Sequence, residues 1–285
     1  MLWFNCDGLL PGISIAICFL AVSLAGFLGV LEHTTFSDVD YLCSMAEGSA
    51  NNREMFRQGK KTAVVLGYTG ETGQALVKQL AKENLFSKVT LIGRRIIPLN
   101  ESERPEFEQK VVDFENLEEH RDAFSGHDVG FWCLGTTRAK AGVEGFKRVD
   151  HDYVLKSAEM AKAGGLKHLH FMSTMGADHR GMALYTKTKG QVEEALKVMH
   201  FARLSIYRPG VLMVNRQESR PMEAIARFLL VPVAKVFPTA ITIPVESVAQ
   251  AMINNAVSDK GKSVETFENK DIHVLSGISG HCPKS

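Results

Sequence analysis

Residues 62–73 read Thr-Ala-Val-Val-Leu-Gly-Tyr-Thr-Gly-Glu-Thr-Gly, an apolar, β-branched run followed by glycines in the spacing G-x-x-G-x-x-G. Glycine permits a tight turn, lets a pyrophosphate approach backbone amides, and lets the next helix pack closely on the sheet. The first amides of that helix favour bound phosphate. Because a strand pattern precedes Gly67 and a helix pattern follows Gly73, we predict a dinucleotide phosphate loop, with a purely structural turn as the alternative.

The chain after this loop alternates short apolar runs with longer amphipathic stretches, which is typical of βαβ units and a parallel sheet. The predicted strands cover residues 62–66, 89–92, 111–112, 129–134, 169–172 and 204–207. Predicted helices cover about 72–83 and 146–163, and a third helix, which ends near Met199, carries Tyr185 and Lys189. Six strands joined by helices predict an α/β fold, a doubly wound sheet of the Rossmann type. The less periodic chain from Val211 predicts a small C-terminal lobe on the substrate side.

The segment before the domain is apolar, since residues 8–31 contain no charged side chain. A helix of this length measures about 35 Å and covers the roughly 30 Å hydrocarbon layer. A signal peptide needs a positive first region, and a buried soluble helix is rarely apolar on all sides. We therefore expect a membrane anchor over residues 9–31, with the domain facing the cytosol because Lys and Arg lie downstream.

These features divide the chain into a leader and linker over residues 1–44 and an α/β domain over residues 45–285. Met45 begins a polar stretch, so a second form that starts there without the leader is expected. The net charge of +1 gives no reason to expect direct nucleic-acid binding. Five scattered cysteines, without zinc-site spacing, predict no metal and reduced thiols in a cytosolic compartment.

The second predicted strand ends in Gly93-Arg94-Arg95, where NAD enzymes carry an acidic residue for the ribose hydroxyls. Two guanidinium groups match a 2′-phosphate instead, so we predict NADPH rather than NADH, with a solvated basic pair as the alternative. After the third strand, Asp113 either reads the adenine amino group or caps a helix. Leu134 and Gly135 end the fourth strand, where a glycine lets the backbone pass close to the ribose.

Tyr185 and Lys189 are four residues apart, so they share one face of a helix. An ammonium group stabilises a nearby phenolate, which makes a tyrosine a usable proton donor, and the same lysine can bind the nicotinamide ribose. Ser173, at the end of the fifth strand, would orient a carbonyl substrate. An ordinary surface pair is the alternative. For Cys133, a buried apolar thiol is favoured over a nucleophile.

The order of these motifs resembles that of the atypical or extended short-chain dehydrogenase/reductases. Longer stretches are similar to the Tat-interacting oxidoreductase-like family, at residues 85–95, 126–130, 134–138, 208–212 and 216–221. The resemblance implies a set of cofactor contacts that extends the glycine loop of Gly67, Gly70 and Gly73: Thr69, Gly70, Glu71, Thr72, Arg94, Arg95, Leu134, Gly135, Tyr185, Lys189, Leu212 and Arg220. Leu212 and Arg220 rest on the resemblance alone.

The family resemblance also implies a regulatory NADPH-binding protein, a monomer or homodimer in the cytoplasm and at the nuclear envelope. Its implied roles are tumour suppression, apoptosis, transcription and control of nuclear import through importin-type transport receptors. Tyr68 departs from the family pattern at a loop position that is usually small, and Asp150 stands where extended relatives often have Asn. Two functions follow: a reductase of an unknown carbonyl substrate, or a catalytically inactive NADPH-sensing module that acts through protein partners.

Overall fold

A computed structural model describes residues 41–43, 50–99, 106–213 and 241–277. The strands of this part, in chain order, are β1 (Thr62–Leu66), β2 (Lys88–Gly93), β3 (Phe107–Val111), β4 (Val129–Trp132), β5 (His168–Met172), β6 (Arg203–Arg208), β7 (Val211–Met213), β8 (Thr242–Pro244) and β9 (Val264–Glu268). The helices are α1 (Ala50–Gln58), α2 (Glu71–Glu83), α3 (Arg138–Lys147), α4 (Tyr153–Ala163), α5 (Leu184–Val198), α6 (Val245–Val257) and α7 (Asn269–Ser276). A run of 3₁₀ turns covers Phe114–Phe124, and a π-helical turn at Arg148–Asp152 joins α3 to α4.

The main sheet is parallel and has the strand order β3-β2-β1-β4-β5-β6-β9. The chain leaves β1 toward one edge, reaches β3, and then returns to place β4 on the other side of β1. Leu66 at the end of β1 pairs with Ile92 on one side and with Trp132 on the other. In such sheets the crevice where the strand order reverses, beyond the carboxyl ends of the strands, is the usual ligand site.

The central strands β1 and β4 are buried on both faces, which explains why they are apolar runs in the sequence. On one face, Trp132 packs in a large apolar cluster and its indole Nε1 donates to Ser157 Oγ at 2.8 Å. On β5, the alternate residues His168 and His170 are buried as well, outside that cluster.

The predicted parallel α/β fold is confirmed, with corrections at the sheet edges and at the C-terminal end. The sheet has seven strands rather than six, because β9 pairs in parallel with β6. β3 covers Phe107–Val111 rather than 111–112. After Val211, β7 and β8 make a small parallel pair that is separate from the main sheet, and the chain returns to the main sheet in β9. The rest of the predicted C-terminal lobe, over residues 214–240, lies outside the described residues.

The predicted membrane anchor over residues 9–31 lies outside the described residues. No helix of the described ranges combines the length and apolar character needed to cross a bilayer. The expectation that every cysteine is reduced is wrong for Cys43, which is disulfide-bonded, whereas Cys133 is a free thiol.

Candidate cofactor and catalytic site

The glycine loop between β1 and α2 has a shape that only glycine permits at two positions. Gly67 has a φ of +83°, and a Cβ there would lie 2.7 Å from the carbonyl carbon of Cys133. A Cβ on Gly73 would lie 2.3 Å from the carbonyl oxygen of Gly67. Gly70 caps α2 without any side-chain hydrogen bond to the helix. The three glycines of the loop therefore leave a cradle of backbone amides at a helix N-terminus, and this cradle fits a bound pyrophosphate.

The polar residues of the loop also lie where the sequence places them, in the loop and the first turn of α2. Thr69 and Glu71 are half-buried, and Thr72 is buried. Their proposed contacts with a dinucleotide stay predictions.

Arg94 and Arg95 follow the last residue of β2, next to the glycine loop, because β1 and β2 pair in parallel as far as Leu66 and Ile92. Both arginines are exposed. Within the described residues, neither guanidinium group has a hydrogen bond or an ion pair. Two unpaired cations beside a phosphate cradle are suited to an additional phosphate group.

Asp113 caps the 3₁₀ turns that follow β3. Its carboxylate accepts from the amide of Glu115 at 2.9 Å and from Asn116 Nδ2 at 2.8 Å. These two hydrogen bonds, the backbone one foremost, lower the pKa of Asp113. Of the two interpretations of Asp113, the helix cap is present in the structure.

Tyr185 and Lys189 lie on α5, as predicted, but in different surroundings. Tyr185 is 46% exposed, and its ring packs against that of Phe146, with 5.8 Å between centroids. Lys189 is only 3% exposed. Its Nζ lies 5.3 Å from the centroid of the Phe171 ring and 3.4 Å from the carbonyl oxygen of Met172. The tyrosine is therefore accessible from solvent, while the lysine is buried one helical turn further along α5.

Asp150 is the ionic partner of Lys189. In the sequence, Asp150 was noted only as a departure from the family pattern, and the ion pair was not predicted. Its Oδ1 lies 3.1 Å from Lys189 Nζ, and its Oδ2 accepts from the amide of Thr136 at 2.7 Å. A Cβ on Gly135 would lie 3.2 Å from Asp150 Oδ1 and 3.9 Å from Lys189 Nζ. The exposed backbone at the end of β4 therefore lies directly over the ion pair, and Leu134 packs against the core below.

Ser173 lies at the end of β5 and is buried, and its hydroxyl donates to Glu193 Oε1. Glu193 in turn forms a two-point ion pair with Arg208, at 3.0 Å to Nε and 2.5 Å to Nη2. Arg208 also binds Glu268 on β9 at 2.9 Å. The sequence interpretation missed this network, although the spacing of Tyr185, Lys189 and Glu193 places all three on one face of α5.

Cys133 lies under the glycine loop, where burial raises the pKa of its thiol to about 12 despite the nearby charge of Lys189. A thiol with such a pKa is not a nucleophile at neutral pH. This supports the favoured interpretation of an inert thiol, in a residue that is half-buried as a whole.

Two residues that rest on the resemblance lie apart from this constellation. Leu212 is in the middle of β7, half-buried and paired with Ile243 of β8. Arg220 lies outside the described residues. Their cofactor contacts stay predictions, and among the described residues no cluster of side chains is suited to a metal ion.

Comparison with known proteins agrees with this geometry. A family model described as NAD(P)H-binding matches residues 67–260. Protein HTATIP2 of Rattus norvegicus is 51% identical over 220 residues, which cover 77% of this chain and 91% of that protein. The protein named FMP52, mitochondrial, of Eremothecium gossypii is 34% identical over 220 residues, 75% of this chain and 96% of the relative.

Solved structures share the fold at low sequence identity. MoeE5 in complex with UDP-glucose and NAD has a TM-score of 0.56 at 15% identity, with 77% of this chain and 82% of that chain covered. A mutated uronate dehydrogenase has a TM-score of 0.57 at 15% identity, with 79% and 82% covered. At these identities the similarity shows the Rossmann-like fold alone.

Proposed function

Because the chain belongs to the NAD(P)H-binding family, in the group that includes rat Protein HTATIP2, we propose that it is an NADPH-dependent reductase of a carbonyl substrate. One arrangement carries this proposal: the glycine cradle, the arginine pair that has no partner among the described residues, and the buried Lys189 of α5 all lie at the carboxyl ends of the central strands.

The residues that would hold the dinucleotide follow from their chemistry. The amides of the glycine loop and of the first turn of α2 would bind the pyrophosphate, and Arg94 and Arg95 would bind the 2′-phosphate. Gly135 would leave room for the ribose, which Lys189 would hydrogen-bond. The bound cofactor supplies a hydride, and the protein supplies binding, orientation and a proton.

The proton would come from the phenol of Tyr185, transferred from its Oη to the carbonyl oxygen of the substrate. Its exposure leaves the hydroxyl accessible, and the contact with Phe146 restricts the ring. The ammonium group of Lys189 would stabilise the phenolate that remains after transfer. Asp150 holds Lys189 in place from the opposite side, through Thr136 and the end of β4.

Ser173 would orient the substrate carbonyl, provided that its hydroxyl turns away from Glu193. Since Arg208 already satisfies both oxygens of Glu193, the carboxylate keeps partners when the serine turns. Donation to a substrate oxygen in place of Glu193 would then cost little.

Substitution of the proposed proton donor tests the reductase function. Purified protein is screened against aldehydes and ketones by the loss of NADPH absorbance, and NADPH affinity is measured separately. We expect Tyr185→Phe to lose about 10²- to 10⁴-fold in kcat with NADPH binding retained. The matched control is Tyr153→Phe, which removes a surface hydroxyl bound to Glu115 and should turn over normally. Equal turnover by both variants would contradict catalysis by Tyr185.

A second candidate function is an NADPH-sensing module. It is favoured by the contacts that the proposed catalytic side chains make within the protein. In the structure Lys189 is paired with Asp150 and the Ser173 hydroxyl with Glu193, so both groups already have partners within the protein. In this proposal, cofactor binding stabilises the form that engages importin-type transport receptors in the cytoplasm and at the nuclear envelope. A pull-down of such receptors with and without NADPH tests this proposal. The Tyr185→Phe variant should bind the receptors as the wild type does. Receptor binding that is the same with and without NADPH would contradict the proposal.

A further inference from the structure

The side chain of Tyr68 occupies the space between the glycine loop and the end of β2. It is 1% exposed although it lies in a surface loop. A Cβ on Gly93, the residue directly before Arg94, would lie 2.7 Å from Cε1 of the Tyr68 ring. The Tyr68 ring therefore occupies the space that a side chain at Gly93 would need. It packs directly against the backbone that leads to Arg94 and Arg95.

The hydroxyl of Tyr68 reaches the segment that carries the arginines. It lies 2.7 Å from the carbonyl oxygen of Arg95 and 2.7 Å from Oε1 of Gln109 on β3. Burial raises the pKa of this hydroxyl more than the charge of Arg95 lowers it. The group thus remains protonated at neutral pH and can donate to either acceptor.

Gln109, which contacts the Tyr68 hydroxyl, also binds the backbone two residues after Arg95. Its Nε2 donates to the carbonyl oxygen of Ile97 at 2.9 Å, and its Oε1 accepts from the amide of Ile97 at 3.0 Å. The backbone of residues 95–97 is therefore held at two points, by Tyr68 from the phosphate loop and by Gln109 from β3. Ile96, between these points, is 64% exposed and supplies no packing of its own.

We propose that Tyr68 is a positioning residue that sets the preference for a 2′-phosphorylated dinucleotide, by fixing the backbone from which Arg94 and Arg95 extend. This inference rests on the proposed cofactor function. The two guanidinium groups have no partners among the described residues, so their position relative to the phosphate loop depends on that backbone. A backbone that is already fixed loses less conformational entropy when the two side chains bind a phosphate. NADH lacks the 2′-phosphate, so its binding should depend far less on Tyr68.

The test compares equilibrium affinities of the full chain for NADPH and NADH in Tyr68→Phe, which keeps the ring and removes only the hydroxyl. We expect NADPH binding to weaken about three- to tenfold, as for one net hydrogen bond, while NADH binding stays within about twofold. The control, Tyr153→Phe, removes a tyrosine hydroxyl far along the chain and should leave both affinities unchanged. Hydrogen exchange at the amides of residues 95–97 should be faster in Tyr68→Phe only.

The outcomes separate this inference from the function on which it rests. If the wild type binds NADPH and Tyr68→Phe binds both nucleotides as the wild type does, or loses affinity for both equally, the positioning role is overturned and the cofactor function stands. If the wild type binds neither nucleotide, the cofactor function itself fails.

Discussion

Lys189 Nζ lies 3.1 Å from Asp150 Oδ1, and the two side chains are 4% and 1% exposed. This buried ion pair connects the helix that carries Tyr185 to the helical turn after β4. It also reaches the backbone at the end of β4, because the second carboxylate oxygen of Asp150 binds the amide of Thr136. The ion pair thus fixes the ammonium group of Lys189 at the carboxyl ends of β4 and β5.

Removal of the Asp150 carboxylate should destabilise the protein, because the ammonium of Lys189 would remain buried without a counter-charge. We expect Asp150→Ala to lower the free energy of unfolding by about 3–5 kcal/mol in urea titrations. Asp150→Asn should cost less, since its amide oxygen can still accept from Thr136. Asp152→Ala, at an exposed aspartate two residues further on, should change stability by less than about 0.5 kcal/mol. Equal stability of Asp150→Ala and Asp152→Ala would show that the pair contributes nothing.

Stability should fall in mild acid because two histidines of β5 are buried in neutral form. Burial, first of all, lowers the pKa of His168 and of His170 well below the usual value. Their ring nitrogens bond to Ser205 and Tyr207, at 2.9 Å each, and the two rings are 3.9 Å apart. Below pH of about 6.5 the unfolded chain binds protons that the folded chain does not, so unfolding is favoured.

Each of these histidines should therefore cost up to about 1.4 kcal/mol of unfolding free energy per pH unit below about 6.5, and nothing above it. Urea titrations between pH 7.5 and 5.5 measure this slope. His170→Gln should reduce the slope, and His179→Gln, at an exposed histidine, should leave it unchanged. A stability that is constant over this range would contradict the buried neutral state.

The strands that are buried on both faces were predicted near their observed positions, whereas the two edge strands were misplaced or missed. β1 and β4 are apolar runs that are buried on both faces, and β5 is buried on both faces although it contains two histidines, so the positions of these strands could be predicted from the sequence. β3 and β9 are the edge strands, with sequences Phe-Glu-Gln-Lys-Val and Val-Glu-Thr-Phe-Glu, and both have exposed positions. An edge strand needs only one apolar face, and five residues give too short a pattern to separate it from a loop.

In the candidate site, the features that could be predicted are local in sequence, and the contacts that were missed join distant positions. The glycine loop and the Tyr185–Lys189 spacing are local patterns with a direct physical meaning, so they could be found in the sequence. The contacts of Ser173 with Glu193, and of Tyr68 with Gln109, join positions 20 and 41 residues apart. Such contacts depend on how strands are ordered in the sheet, which no local spacing contains.

Cys133 should resist alkylation in the native protein, because burial raises the pKa of its thiol to about 12. Peptide mapping after iodoacetamide treatment at pH 7.5 should find Cys133 unmodified in the folded protein and modified in urea. Trypsin releases Cys133 on the peptide of residues 122–138, which contains no other cysteine, so the other thiols do not affect this measurement. Modification of Cys133 at the same rate in both conditions would show an accessible thiolate and reopen a nucleophilic role.

The most direct test of the central claim is an equilibrium titration of the purified protein with NADPH and NADH, for the wild type and for the double variant Arg94→Ala/Arg95→Ala. If the two guanidinium groups bind a 2′-phosphate, the variant should lose at least about tenfold in NADPH affinity, since each charge-assisted bond contributes about 1.5–3 kcal/mol. Its affinity for NADH should change little. Equal losses for both nucleotides, or a wild type that binds neither, would contradict the assignment of this loop and its arginines to a phosphorylated dinucleotide.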